Sequence, residues 1–296
     1  MHQTIEELES AYGIPGLTFA THQGGLIRGV VETSRCTAEF FLHGAHVTRF
    51  CPAGERPVLW TSGASTFAPG KAIRGGIPIC FPWFGPHASD ANQPSHGTAR
   101  IATWRLTASS VIDDSITVTL QTTINEFYLR YEISFNNSLD VALDVCLDGN
   151  ADGPKRYESA LHSYFAISDI RNVEIHGLAD APYVDKVDNA TEKPPSGKPI
   201  GFHDEFDRVY LNTADTCRIV DENWGRTIQI CKSNSLSTIV WNPWVAKAAR
   251  MTDFGDHEWP ELVCIETANV GSNAITLTPN QSHRMSAKIS LQRASA

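Results

Sequence analysis

The chain has 296 residues, 42% of them apolar and 19% charged, a balance that suits a folded globular protein and excludes a disordered segment or a small disulfide scaffold. Acidic residues number 33 against 24 basic ones, for a net charge of −9. A polyanion such as DNA is repelled on average, so no nucleic-acid partner is expected.

No run approaches the roughly 18 apolar residues of a membrane helix. The start MHQTIEELES lacks the basic flank and apolar stretch of an export signal, so no membrane attachment is expected. Seven cysteines (Cys36, Cys51, Cys80, Cys146, Cys217, Cys231, Cys264) form no CxxC pair. Their odd count fits reduced thiols and a cytoplasmic location.

In chain order, Thr4 followed by Glu7 has the spacing of a capping box and predicts a short helix over about 4–12. Strand-like runs follow at LIRGVVET (26–33), AEFFL (38–42) and HVTRFC (46–51). Strict period-two alternation then marks SITVTLQT (115–122), LRYEISF (129–135) and LDVALDVCL (139–147). In the last, Leu139, Val141, Leu143, Val145 and Leu147 share a face, with Asp140 and Asp144 on the other. TEKPPSGKPIGF (191–202) reads as a long loop inside one domain, with a domain boundary there as the alternative. Further strands are expected at TIQIC, LSTIVW, LVCIE and AKISLQ, with a turn of helix after Pro243 through Val245 to Met251.

No strand–helix–strand rhythm and no glycine-rich nucleotide fingerprint is present. The pattern predicts an all-β sandwich or barrel as a single domain over 1–296.

The composition changes between Ser65 and Arg105. Glycine and proline crowd into PGKAIRGGIPICFPWFGPH (69–87), followed by SHGTARIATW (95–104). Residues 61–112 carry Lys71, Arg74, Arg100 and Arg105 against Asp90 alone, a local +3 inside a chain of −9. Arginine offers a planar fork of donors for phosphate or carboxylate. A small anionic ligand is therefore one reading, and ordinary surface pairing of these arginines the other.

Downstream, His162 in LHSYF and Glu266 in LVCIET supply a proton donor and acceptor near strands. Alternation puts Glu266 on the same face as Cys264. His43 and His46 have metal-like spacing, but in a strand they point to opposite faces without a matching ligand set, so no metal is expected. No nucleophile elbow accompanies a serine. Trp83, Trp104, Trp241, Trp244 and Trp259 fit either a stacking floor for a sugar or the core.

These stretches resemble the D-hexose-6-phosphate mutarotases (glucose-6-phosphate 1-epimerases) of the galactose mutarotase-like superfamily. The resemblance rests on IRGGIPICFPWFGP (73–86), HGTAR (96–100), LHSYF (161–165), FDRVY (206–210) and the run from VWNPW (240–244) to VCIE (263–266). Their order and spacing span roughly residues 15 to 293.

The resemblance implies a β-supersandwich of two large antiparallel sheets with the sugar site in a cleft. It implies His162 and Glu266 as the catalytic pair, Arg74 and Arg100 as holders of the sugar phosphate, and Asp207 as a ligand of sugar hydroxyls. His96 would stand near the anomeric or ring oxygen, and Ser95 beside it joins the substrate contacts. Members often carry glutamine where this chain has Ser95, so the contact of that longer amide is either lost or supplied by Gln93. Thr98 stands where a bulkier apolar residue is common.

Anomer exchange requires the C1–O5 bond to open and close on the other face. Glu266 would take the C1 hydroxyl proton while His162 gives one to O5, which needs a charged His162 and an ionised Glu266 near pH 7. No cofactor, metal or covalent step is needed, and a monomer is expected. Competing expectations are an aldose 1-epimerase for unphosphorylated sugars, a non-catalytic sugar-phosphate binder, and a glycosidase or lyase using Asp207 with Glu266.

Overall fold

A computed structural model of the chain describes residues 3–214 and 216–293. The helix Ile5–Tyr12 begins as predicted: the Thr4 hydroxyl accepts from the Glu7 N–H at 3.2 Å, and the Glu7 carboxylate accepts from the Thr4 N–H at 2.9 Å. Two orphan backbone donors are thereby satisfied, and Leu8 is buried.

Among the described residues the rest is mainly antiparallel sheet. A four-stranded meander runs Leu17–Thr21, Ile27–Glu32, Cys36–Phe41, His46–Pro52. The first large sheet has eight strands in the order Val173–His176, Cys217–Asp221, Arg226–Ser233, Ser282–Arg293, Leu139–Leu147, Phe127–Phe135, Ser115–Ile124, Arg105–Ile112. The second runs Thr191–Lys193, Tyr183–Asp185, Phe206–Leu211, Ser237–Asn242, Leu262–Asn269, Ser159–Leu161, Ile79–Cys80, with Tyr164–Ala166 also paired to Leu262–Asn269.

Val240, Val263 and Ile265 of the second sheet share one buried cluster with Leu139, Val141, Leu143, Val145, Ile228 and Ile289 of the first. The two inner faces thus make a sandwich core, and truncating one of these side chains to alanine costs about 2–5 kcal/mol.

Two expectations shift. The segment 191–202 is not all loop: Thr191–Lys193 pairs with Tyr183–Asp185 as a sheet edge. Its side chains are mostly exposed, so no alternation advertised it. The helix after Pro243 is Trp244–Ala248, shorter than the run to Met251.

The second sheet has apolar cover on both faces. Its outer face carries a separate buried cluster that includes Trp60, Tyr164, Val209, Ile239, Trp241 and Cys264. This explains why Leu262–Asn269 is buried at every position, Glu266, Thr267 and Asn269 included, and opens with four apolar residues in a row, Leu262 to Ile265, without alternation.

Register orders that outer face into rows. Val209 pairs with Ile239 and Ile239 with Glu266. Leu161 pairs with Thr267 and Tyr164 with Cys264, so the same register carried across the gap at 162–163 sets His162 opposite Glu266. A neighbouring row runs Asp207, Trp241, Cys264, Tyr164. Directly opposed residues in an antiparallel sheet project to the same side, so both rows address one cleft.

Candidate active site

A cleft of about 400 Å³ opens over these rows. His162 and Glu266 lie in it, with Arg74, Ser95, His96, Arg100 and Asp207 in its walls. A larger cavity of about 510 Å³ by Leu26, Leu42, Trp104 and Arg105 has no carboxylate among the described residues that line it and so offers no acid–base pair there.

His162 Nε2 stands 3.2 Å from Glu266 Oε1. The carboxylate side chain is 1% exposed and the imidazole 9%. His162 Nδ1 and Glu266 Oε2 are both buried without a partner among the described residues, which leaves each group one polar atom for something else. The strand is interrupted at His162: its N–H donates to Pro78 O, and the Tyr164 N–H to Gly76 O. The imidazole stacks on Tyr164, ring centroids 4.7 Å apart and 10° from parallel, and packs edgewise on Trp241.

The electrostatics correct the expected charge state. Burial pushes the Glu266 carboxyl well above the usual carboxylate range, and Asp207 adds to the shift. Burial pushes His162 well below its ordinary value, with His96, Arg74 and Arg100 adding to it. The free site therefore favours a protonated Glu266 beside a neutral His162, because two desolvated charges cost more than their attraction returns. The proton count is unchanged: the pair still holds one proton, on the oxygen rather than the nitrogen.

His96 adopts a left-handed backbone at φ 65°. Its Nδ1 accepts from the Gly85 N–H at 3.3 Å, and its own N–H donates to Gly85 O at 2.7 Å. That bond assigns the ring proton to Nε2, making it a donor. Burial, then Arg100, Lys186 and Arg74, pull its pKa to about 3, so it stays neutral. Gly97 after it has φ 76°, and a β-carbon there would sit 2.0 Å from Phe81 O. The glycine of HGTAR is a requirement of close approach.

The two arginines differ. Arg74 reaches Asp253 through Nη2 at 3.0 Å and Nε at 3.3 Å, and donates Nη1 to the Tyr164 hydroxyl at 2.9 Å. Burial lowers its pKa, but Tyr164 and Asp253 more than offset that and leave it raised. Arg100 donates to Ser95 O at 2.6 Å, has a buried Nε without partner, and shows no ion pair among the described residues. Ser95 thus acts through its carbonyl, while its side chain sits exposed at the rim. Gln93 turns to Asp90 at 3.4 Å and is absent from the cleft wall, so it does not supply the missing amide contact.

Asp207 faces the cleft with its pKa raised, chiefly by burial. Lys247 lies 3.8 Å from it but is held at 2.8 Å by Glu205. Phe84, Tyr164, Lys186 and Lys247 complete the walls. Sequence reading missed them. Tyr164 was accessible, two residues beyond His162 in LHSYF, whereas the lysines belong to no motif. Trp241 is in the cleft and Trp104 in the main core. His43 and His46 each bond a backbone carbonyl, of Lys71 and Gly75, both at 2.7 Å.

The model of the aldose 1-epimerase family matches residues 30–290. A Salmonella typhimurium protein provisionally named glucose-6-phosphate 1-epimerase is 37% identical over 241 residues, covering 80% of this chain and 81% of its own. A plant relative from Cenchrus ciliaris with the same provisional name is 34% identical over 277 residues, 88% of this chain and 83% of its own. The crystal structure of a Salmonella typhimurium protein provisionally titled a mutarotase superposes with a TM-score of 0.88 at 32% identity, covering 96% of each chain. A galactose mutarotase-related enzyme from Lactobacillus acidophilus, 13% identical and covering 90% of this chain and 97% of its own, shares the fold with a TM-score of 0.67. With the buried His–Glu pair lying in a cleft on a mutarotase-like sandwich, the chain belongs to the aldose 1-epimerase family.

Proposed function

We propose that this protein interconverts the α and β anomers of hexose 6-phosphates, chiefly glucose 6-phosphate, with His162 and Glu266 as the catalytic pair. The observation that carries the reading is the 3.2 Å contact between them in a cleft that also holds Arg74 and Arg100. The core joining Leu8 to Ile289 supports treating residues 1–296 as one catalytic domain.

The proton passes from Glu266 to His162 across their contact to create the working state. The Glu266 carboxylate then accepts the C1 hydroxyl proton as the C1–O5 bond breaks, and His162 Nε2 gives its proton to O5. The open aldehyde rotates about C1–C2. Ring closure on the other face returns one proton from Glu266 to the new C1 oxygen and one from O5 to His162. The pair ends with the single proton it started with, and every atom balances.

The substrate assists. Arg74 and Arg100 are among the charges that hold His162 down, and a phosphate dianion beside them offsets that field and favours the protonated imidazole. Arg100 is the freer phosphate ligand. Phosphate binding remote from C1 holds C1 and O5 against their partners. Neutral His96, with its proton on Nε2, is placed to donate to a sugar oxygen, and Asp207 to accept from hydroxyls.

A second reading, an aldose 1-epimerase for unphosphorylated sugars, draws on the commitment of Arg74 to Asp253. Magnetisation-exchange NMR on the anomeric protons of glucose 6-phosphate, beside an equal sample of glucose, separates the two. Faster exchange mainly for the phosphosugar is expected. Equal acceleration of both favours the second reading, and acceleration of neither removes the catalytic one.

A further inference from the structure

Of the cations in the cleft, Lys186 is the one that neither the motifs nor a salt bridge accounts for. Arg74 is held by Asp253 and Lys247 by Glu205. Lys186 makes no ion pair among the described residues, and its ammonium lies 4.8 Å from the centroid of Phe84. Phe84 in turn packs edgewise on His96 at 4.7 Å. A cation held over an aromatic face is positioned without being neutralised.

Its place in the sheet is informative. The Lys186 N–H donates to Asp207 O at 2.8 Å, continuing the ladder in which Asp185 pairs with Arg208. Lys186 therefore extends the row of Asp207, Trp241, Cys264 and Tyr164 at the end away from Tyr164, whose hydroxyl holds Arg74. The cleft has an arginine end and a lysine end, with the His162–Glu266 row alongside. The strand before Lys186 is three steps from that of Glu266, roughly 14 Å at about 4.8 Å per step. A lysine and a glutamate reaching inward leave a gap of sugar-ring size.

Lys186 and Asp207 are register neighbours on one face, yet their side chains do not meet in an ion pair. An ammonium that only donates beside a carboxylate that only accepts suits a pair of vicinal hydroxyls, each of which does both. If the phosphate occupies the arginine end, the ring carbon opposite C5 is C2, flanked by C1 and C3; with C1 against the His162–Glu266 row, the hydroxyls left for the lysine end are those of C2 and C3.

We infer that Lys186, together with Asp207, binds the C2 and C3 hydroxyls of the hexose 6-phosphate and so sets which sugars the site accepts. This rests on the mutarotase reading for its substrate and extends it to a residue outside the family motifs. Lys186 is exposed, so its replacement does not threaten the core.

The test crosses residue with substrate: wild type, Lys186→Met and Lys186→Arg, each with glucose 6-phosphate and its 2-deoxy and 3-deoxy analogues, read by exchange NMR. Wild type should lose about tenfold in kcat/KM on at least one deoxy analogue. Lys186→Met should lose about tenfold on glucose 6-phosphate and less than twofold more on that analogue, and Lys186→Arg should recover part of the loss. An equal factor on all three sugars overturns the inference. So does a matching loss of inhibition by inorganic phosphate, which would place Lys186 on the phosphate instead.

If wild type accelerates no exchange, the mutarotase reading has failed by itself. Saturation-transfer NMR of the same sugars then decides the binding claim. A deoxy penalty present in wild type and absent in Lys186→Met sustains it, and its absence in both overturns it.

Discussion

The two large sheets of this sandwich are built from the same strand chemistry and used differently. In the first, Leu139–Leu147 lies between Phe127–Phe135 and Ser282–Arg293 in unbroken register, and its outward face is charged. There Arg284 bridges Asp144 at 2.7 Å and Glu132 at 2.8 Å, while Arg130 reaches Asp144 at 3.1 Å. Those charges stay wet and are cheap to keep. In the second sheet the strand carrying His162 is interrupted, both faces are covered, and the ionisable groups are desolvated. A sheet that is regular and wet on one side is scaffold, whereas an interrupted sheet buried on both sides can hold a proton in an unusual place.

The comparison is broken most directly at Glu266. Glu266→Gln keeps the shape and removes the proton acceptor, and should lower turnover by roughly 10² to 10⁴ in exchange NMR. Near-wild-type exchange would remove Glu266 from the mechanism. The companion measurement is the pH profile. Falling pH adds a second proton to the pair and removes the base, while rising pH strips the last proton and removes the acid. Since His162 is displaced downward and Glu266 upward, the range of the one-proton form is widened at both ends. The expected profile is a broad bell with its acid limb below pH 6.5, and a profile still flat at both extremes counts against the pair.

His46 sharpens the contrast between a buried histidine proposed to move a proton and one that only supports. It is fully buried, and burial lowers its pKa to about 3. Its Nε2 holds Gly75 O next to Arg74. Because the folded state binds the proton more weakly than the unfolded chain, stability is present above pH 6.5 and is lost as pH falls toward 3. By pH 4.5 the loss is on the order of 2–3 kcal/mol. Urea melts of wild type and His46→Gln at pH 4.5 and 7 should show a smaller pH difference in the variant. An equal difference would place the acid sensitivity elsewhere.

The arginines separate binding from support. Arg100→Ala should raise KM for glucose 6-phosphate about tenfold, the scale of one charged hydrogen bond, with little change in melting temperature. Arg74→Ala should lower the melting temperature as well, since it leaves Asp253 unpaired. If both variants bind the phosphosugar as wild type does, the phosphate is held elsewhere. The smallest effect belongs to the wet face: Arg130→Ala should cost no more than about 1 kcal/mol in a urea melt and leave exchange unaltered.

Much of this was legible in the sequence. Period-two alternation located the half-buried strands of the first sheet, because one wet face forces polar residues into alternate positions. The capping box marked the first helix through Thr4 and Glu7. His162, Glu266, Arg74, Arg100, Asp207, His96 and Ser95 were accessible as candidates because they stand in compact motifs, and the cleft brings them together. Thr191–Lys193 was not legible, since an exposed edge strand has no buried face to pattern it.

What the sequence determined by itself, then, was the class of fold and the candidate residues that the cleft gathers. Tertiary structure alone decided which arginine is already committed, that Lys186 stands beside Asp207, and that burial displaces His162 downward and Glu266 upward. The reason is physical. Alternation and motif spacing are local properties of the chain, while desolvation and cross-strand partnership depend on strands far apart in sequence, such as those of His162 and Glu266, arriving side by side.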